Sequence, residues 1–169
     1  MNPKKVTEKE FETTRRGFRL STSVGGTLTG RGGAVLIIDD SLKAADATSM
    51  VALEGAVDWF RNTALSRLDD QAKSLILITM QRLHVCDLSG TLIEAGWPSL
   101  VLPAIATEDH DYVVADGEIY HRPAGELLQP DRDTLDTLEE IQRSVGSQIF
   151  AAQYQQNPTP PEGNMIKAT

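Results

Sequence analysis

The stretch "TGRGGAVLIIDD", residues 29–40, joins a glycine-rich turn to five consecutive apolar residues and two adjacent carboxylates. Glycines this close together are unfavourable inside a helix or a strand, so the first half is predicted to be a loop. The apolar run shows no alternation, which is typical of a strand buried on both faces of a parallel sheet. The sequence therefore predicts a central strand with Asp39 and Asp40 at its carboxyl end.

The composition predicts one globular domain. A chain of 169 residues and 18.4 kDa is long enough to bury a core, and 40% hydrophobic with 24% charged residues lies near the globular average. The single cysteine, Cys86, excludes an internal disulfide, and no apolar run approaches the ~18 residues of a membrane span. Since the first residues also lack a signal-peptide pattern, we expect a cytoplasmic protein without a membrane partner.

The charge distribution limits the classes of partner. A net charge of −8 argues against a protein that wraps nucleic acid around itself. A local basic cluster nevertheless lies near the start of the chain and consists of Lys4, Lys5, Lys9, Arg15 and Arg16. Any contact with DNA is therefore expected to be local.

Periodicity along the chain predicts the order of the main elements. Residues 1–16 are interpreted as a solvated lead-in and residues 17–24 as a strand. An amphipathic helix capped by Ser49 spans residues 49–68, and a second apolar strand spans residues 74–79. Asp87 caps a short helix that ends at Gly96, and residues 99–106 are predicted to form a third strand. Strands alternating with helices predict an α/β fold with a mainly parallel sheet.

The second half of the chain departs from this alternation. Asp116 and Gly117 separate two short apolar runs and predict a hairpin turn. Helices are predicted over residues 133–145 and 147–156, followed by a proline-rich linker over residues 157–169. Residues 17–156 are thus predicted to form one domain.

Polar residues at the ends of the two apolar strands suggest phosphate chemistry. A buried strand that ends in two carboxylates is the pattern of a Walker B element, in which Asp39 would bind Mg²⁺ and Asp40 would activate water. The next apolar strand is followed by Gln81, suited to hydrogen bond water or phosphate, and by Arg82, suited to bind phosphate or DNA. The alternatives are that the carboxylates cap a turn and that Gln81 and Arg82 are ordinary surface residues.

Four segments in the same order carry a resemblance to a known family: "FETTRRGFRLSTSVGGTLTGRGGAVLIIDDSLKAADA", "AVDWFRNTALSRLDD", "LILITMQRLHVCDLSGTLIEAGWPSLVLPAIA" and "FAAQYQQNPTPPEGNMIK". Together they resemble the large terminase subunit of tailed bacteriophages, which packages viral DNA with an ATPase domain and a nuclease domain. The resemblance implies a partial P-loop ATPase fold of the ASCE type, with double-stranded DNA, the portal and the small terminase subunit as partners.

The resemblance also assigns roles to individual residues. Asp39 resembles the Mg²⁺-binding Walker B aspartate, Asp40 stands where many relatives have a catalytic glutamate, and Gln81 resembles the coupling position. Some relatives have an arginine at the position of Thr29, and Arg31 is the candidate substitute for it as a cofactor contact. Arg31 as an exposed loop residue is the alternative.

The phosphate-binding part of such a site does not occur in the sequence. A phosphate loop needs GxxxxGK[ST] between a strand and a helix, and no stretch of the 169 residues matches it. We therefore expect ATP and Mg²⁺ to bind tightly only in a complete family member, and the missing half to come from an upstream segment or a separate fragment. A sheet that lacks this strand and helix is expected to expose apolar edges and one face.

Three readings of the chain stay open. The chain is either part of a split ATPase or a non-enzymatic prophage remnant that binds the portal, the small terminase subunit or a partner fragment. A P-loop protein outside DNA packaging is a third possibility. The nuclease would follow residue 169, so nuclease activity is not expected of this chain.

Overall fold

A computed structural model describes residues 3–26, 28, 30 and 32–160 of the chain. Within these residues it is a mixed α/β protein with three short sheets, one of them parallel and two antiparallel. None of the helices in the described residues has the length and apolar character needed to cross a membrane.

The parallel sheet consists of the two apolar strands that the sequence predicted. Strand β4 (Val35–Asp39) pairs in register with β5 (Leu75–Thr79), so that Val35 lies opposite Leu75 and Asp39 lies opposite Thr79. Parallel strands require a long crossover connection, and here it contains a helix. Both strand predictions are confirmed.

The crossover begins as α1 (Met50–Trp59), continues as a π-helical turn (Phe60–Ala64) and ends as a 3-10 turn (Leu65–Arg67). Ser49 is the N-cap, as predicted, and its hydroxyl oxygen accepts a hydrogen bond from the amide of Ala52 at 3.3 Å. The helix predicted over residues 49–68 is therefore present, but it changes from α-helical to π-helical and then to 3-10 geometry along its length.

The core lies on one face of this sheet. It is formed by Ile38 from β4, by residues of the crossover and by α2 (Leu88–Glu94), with Phe60 and Leu88 each 1% exposed. Leu36, Ile76 and Ile78 pack against it from the sheet. The helix α2 begins after the predicted cap Asp87, and Gly96 beyond its end has a φ of +84°.

The opposite face of the sheet is uncovered, so the prediction of a strand buried on both faces is wrong. Val35, Ile37, Leu75 and Leu77 are 50–65% exposed there. A parallel sheet is ordinarily covered on both faces, but here α1 and α2 both contribute to the core on the face that buries Ile38. One exposed apolar face of the sheet was also expected, and that face is present.

The predicted third strand over residues 99–106 is also wrong, and with it the mainly parallel sheet. Ile105 forms an isolated antiparallel bridge with Leu127 instead. Pro103 lacks a backbone N–H, and the side-chain amide of Gln155 donates to the carbonyl of Ile105 at 3.0 Å and accepts from its N–H at 2.9 Å. These contacts occupy the backbone groups that a sheet would need.

The first residues form a sheet where a solvated lead-in over residues 1–16 was predicted. Strands β1 (Pro3–Val6), β2 (Glu10–Thr13) and β3 (Phe18–Leu20) are antiparallel in that order. The strand predicted over residues 17–24 is the third and is shorter than expected. Charged residues in each short strand obscured the alternation that identifies strands in sequence.

The predicted hairpin is confirmed. Strands β6 (His110–Val113) and β7 (Ile119–Arg122) are antiparallel, and Asp116 and Gly117 both have positive φ, at 60° and 79°, as a type I′ turn requires. Buried Arg122 attaches the hairpin to the body by donating to the carbonyl of Pro103 at 2.8 Å.

The last helices lie where they were predicted. Helix α3 (Leu135–Val145) is capped by Thr134, and it ends at Gly146, whose φ is +85°. Helix α4 (Ser147–Ile149) continues as a π-helical turn (Phe150–Tyr154). Residues 161–169 of the predicted linker lie outside the described residues.

Candidate functional site

The two carboxylates lie at the carboxyl end of β4, as the sequence predicted. Asp39 is the last residue of the strand, and the amide of Asp40 donates to the carbonyl of Thr79 at 3.0 Å. Asp40 has a φ of +44°, a left-handed conformation that is uncommon for residues other than glycine. Both aspartates are exposed.

Parallel pairing brings the ends of the two strands to the same edge of the sheet. Because Asp39 lies opposite Thr79, Gln81 follows β5 by two residues at the edge where Asp39 and Asp40 emerge. Buried Ser41 joins the two strand ends, since its hydroxyl donates to the sulfur of Met80 at 3.8 Å. The structure thus brings Asp39, Asp40 and Gln81 to one edge.

Asp39 belongs to the uncovered face of the sheet. Alternation along β4 places Val35, Ile37 and Asp39 on one face and Ile38, which is 5% exposed, on the other. The in-register partners on β5 complete what we call the open face, formed by Val35, Ile37, Asp39, Leu75, Leu77 and Thr79. Any segment that covers the open face therefore approaches the Asp39 carboxylate.

The outer edge of β4 is also available for pairing. The amide of Leu75 donates to the carbonyl of Ala34. The backbone N–H and C=O groups of even-numbered residues in β4 therefore point toward β5, and those of odd-numbered residues point toward the outer edge. Gly33, at the start of that outer edge, pairs with Leu68. Val35 and Ile37 have no strand partner there among the described residues.

Arg82 is held by a buried carboxylate. Its Nε lies 3.0 Å from both carboxylate oxygens of Asp87, whose side chain is fully buried. Asp87 also accepts hydrogen bonds from the amides of Leu83, His84 and Gly90. This pair fixes the segment between β5 and α2. The contact of Arg82 with a cofactor stays a prediction. Arg82 would make that contact either while it remains paired with Asp87 or after it has left Asp87.

Gln81 lines a cleft of about 320 Å³, together with Leu128, Gln129, Gln153 and Tyr154 among others. Gln156 completes this region: its side-chain oxygen accepts from the amide of Arg82 at 3.1 Å, and its side-chain nitrogen donates to the carbonyl of Gln153. Gln155 and Gln156 hold backbone groups of this region in place, a role that was not predicted from the sequence. The run of glutamines before Pro158 was the only sequence signal for that role.

The carboxylates of Asp39 and Asp40 are the kind of ligand that magnesium prefers, but two carboxylates are too few to hold the ion without further ligands. Carboxylates are Mg²⁺ ligands, and the ion in nucleotide sites is held by one or two of them together with substrate phosphates. Within the described ranges, neither Asp39 nor Asp40 has a side-chain hydrogen bond or ion pair, and no cluster of three or more His, Cys, Asp or Glu residues forms a metal site. Thr29 and Arg31 lie outside the described residues, so the cofactor role of Arg31 stays a prediction.

Comparisons with known proteins add no family assignment. No protein-family model matches the chain, and no curated protein matches it. The class defined by the fold is mixed α/β, with a parallel strand pair that carries the acidic site.

Proposed function

We propose that the chain is part of a large terminase subunit, and that it contributes the magnesium-binding and water-activating half of an ATP site. The observation that carries this proposal is the position of Asp39 on the open face, beside Ile37 and opposite Thr79. A segment that supplies a phosphate loop and its helix would cover that face and bring phosphates close to the carboxylate.

The open edge and the open face together match one kind of missing unit. A strand added at a free edge of this two-stranded sheet, beside β4 or beside β5, would pair with its outward backbone groups, and the helix that follows it would cover the apolar side chains. A strand followed by a phosphate loop and a helix has this arrangement. The two features therefore support a partner of that composition.

Each residue at the edge then has a defined role. Asp39 would hold Mg²⁺, which neutralises phosphate charge when bound. Asp40 would orient and deprotonate the attacking water, and Gln81 would hydrogen bond the water or the γ-phosphate. In the assembled motor, double-stranded DNA, the portal and the small terminase subunit are the proposed partners.

The open face also supports a second candidate, a non-enzymatic docking module. An apolar patch bordered by polar residues marks many protein interaction sites. In this reading the face binds the portal, the small terminase subunit or a partner fragment, and Asp39 is only a surface residue.

Reconstitution separates the two candidates. The chain is mixed with a terminase segment that contains a strand, GxxxxGK[ST] and a helix, and Mg²⁺-dependent ATP hydrolysis is measured. We expect hydrolysis after mixing, none from either part alone, and loss of hydrolysis with Asp39→Ala. Asp58→Ala, at an exposed position of α1, is the matched control and should keep the activity.

Each result decides between the readings. Hydrolysis that survives Asp39→Ala would place the chemistry elsewhere and reject the proposed site. Complex formation without hydrolysis, lost with Ile37→Lys and kept with Asp39→Ala, would favour the docking module. Neither complex nor hydrolysis would reject both for this partner class.

A further inference from the structure

The N-terminal sheet differs in charge from the rest of the chain. The first twenty residues contain six basic and three acidic side chains, a net charge of +3, whereas the whole chain carries −8. The remaining residues therefore carry a net charge of −11. A basic element in an acidic protein indicates a local site for a polyanion.

Strand register separates the side chains of this sheet into two faces. Val6 lies opposite Phe11, and Phe11 lies opposite Arg19, so these three form a row across all three strands. Glu10 and Glu12 pair with Leu20 and Phe18. We call the surface formed by Val6, Phe11 and Arg19 the Phe11 face, and alternation places Glu10 and Glu12 outside it, on the opposite face.

The Phe11 face is exposed and is bordered by cations. Val6 is 63% exposed, Phe11 is 38% exposed, and Arg19 is also exposed. Lys9 lies in the turn between β1 and β2, and Arg15 and Arg16 lie in the turn between β2 and β3, all three exposed. An aromatic ring beside guanidinium and ammonium groups can contact both a base and its phosphates.

We propose that the Phe11 face binds single-stranded nucleic acid, with a base stacked on the Phe11 ring and the neighbouring phosphates bound by Arg19 and Lys9. The aromatic ring distinguishes a single strand from a duplex, since paired bases have their faces hidden in the stack. This inference goes beyond the proposed ATPase function and does not depend on it.

The test measures binding of the full chain to labelled oligothymidylate, to oligouridylate and to a duplex over a series of salt concentrations. Phe11→Leu keeps an apolar side chain but removes the stacking surface, and we expect about fivefold or greater loss of affinity for the single strands. Phe18→Leu, a matched change on the opposite face, should leave the affinity unchanged. The two single strands show whether DNA or RNA is preferred.

The role of Arg19 is tested through the salt dependence of the oligonucleotide affinity. Arg19→Gln should reduce the slope of log affinity against log salt by about 0.7, because one phosphate contact is lost. Arg143→Gln on α3, where the arginine side chain is 71% exposed, is the matched control. Phe11→Tyr should retain binding, which separates loss of stacking from loss of folding.

Three results would overturn the proposal. The first is no binding of either single strand at low salt. The second is equal loss of affinity in Phe11→Leu and Phe18→Leu. The third is duplex binding as tight as single-strand binding and insensitive to Phe11→Leu. Asp39→Ala should leave oligonucleotide binding intact, so failure of the ATPase proposal and failure of this one are distinguishable.

Discussion

The Nε of Arg82 lies 3.0 Å from both carboxylate oxygens of Asp87, and the Asp87 side chain is fully buried. The same carboxylate caps α2 through the amide of Gly90 at 2.7 Å. One acidic side chain therefore fixes both the end of the β5 segment and the start of the next helix, beside the candidate site.

Removal of this carboxylate should destabilise the protein strongly. Asp87→Ala leaves a largely buried guanidinium without its counter-ion and three backbone amides without an acceptor, and we expect a loss of about 3–5 kcal/mol. Asp87→Asn keeps a capping oxygen and should cost less. The measurement is urea unfolding. Glu139→Ala, which breaks an exposed pair with Arg143, should cost less than about 1 kcal/mol, and an equal cost for the two alanine variants would contradict this account.

Neighbouring isoleucines of β4 should respond differently to truncation. Ile38 is 5% exposed and packs in the core, so Ile38→Ala should cost about 2–5 kcal/mol. Ile37 is 65% exposed on the open face, and Ile37→Ala should cost less than about 1 kcal/mol in the isolated chain. Chemical denaturation of both variants checks this, and similar costs would show that the open face is covered in solution.

The backbone conformation of Asp40 determines which substitution can test the role of its carboxylate without destabilising the fold. Its φ of +44° favours Gly and Asn over Ala, so Asp40→Ala should lose about 1 kcal/mol of stability while Asp40→Gly and Asp40→Asn should not. Asp40→Asn therefore removes the charge without a folding defect. In the reconstituted ATPase it should abolish hydrolysis, and thermal unfolding of the isolated variants verifies the stability order.

The hairpin should show a pH-dependent contribution from His121. The pKa of His121 is raised mainly by a hydrogen bond between its Nδ1 and Oδ1 of Asp111, which lie 2.6 Å apart. The negative charges of Asp109 and Glu126 raise this pKa further. Because the folded-state pKa is raised, the stabilisation is complete below the unfolded pKa of about 6.5 and is lost as the pH rises through the folded value. NMR titration should show a lower His121 pKa in Asp111→Asn; an unchanged pKa would refute the assignment.

Local signals in the sequence were sufficient for several elements. The apolar runs of β4 and β5, the caps Ser49 and Asp87, and the hairpin turn at Asp116 were predicted and are confirmed. Each depends on side chains within a few residues of one another, because caps, turns and periodicity are properties of short segments.

Contacts between distant segments decided the rest. The side-chain amide of Gln155 hydrogen bonds both backbone groups of Ile105, within the predicted third strand, although fifty residues separate the two. Which face of β4 is buried followed from where α1 and α2 pack, and the open face followed from the lack of a second layer among the described residues. The sequence by itself determined the two parallel strands β4 and β5 and the acidic end of β4. Tertiary packing alone decided that Asp39 shares its face with exposed apolar side chains, because burial depends on which segments meet across the sheet.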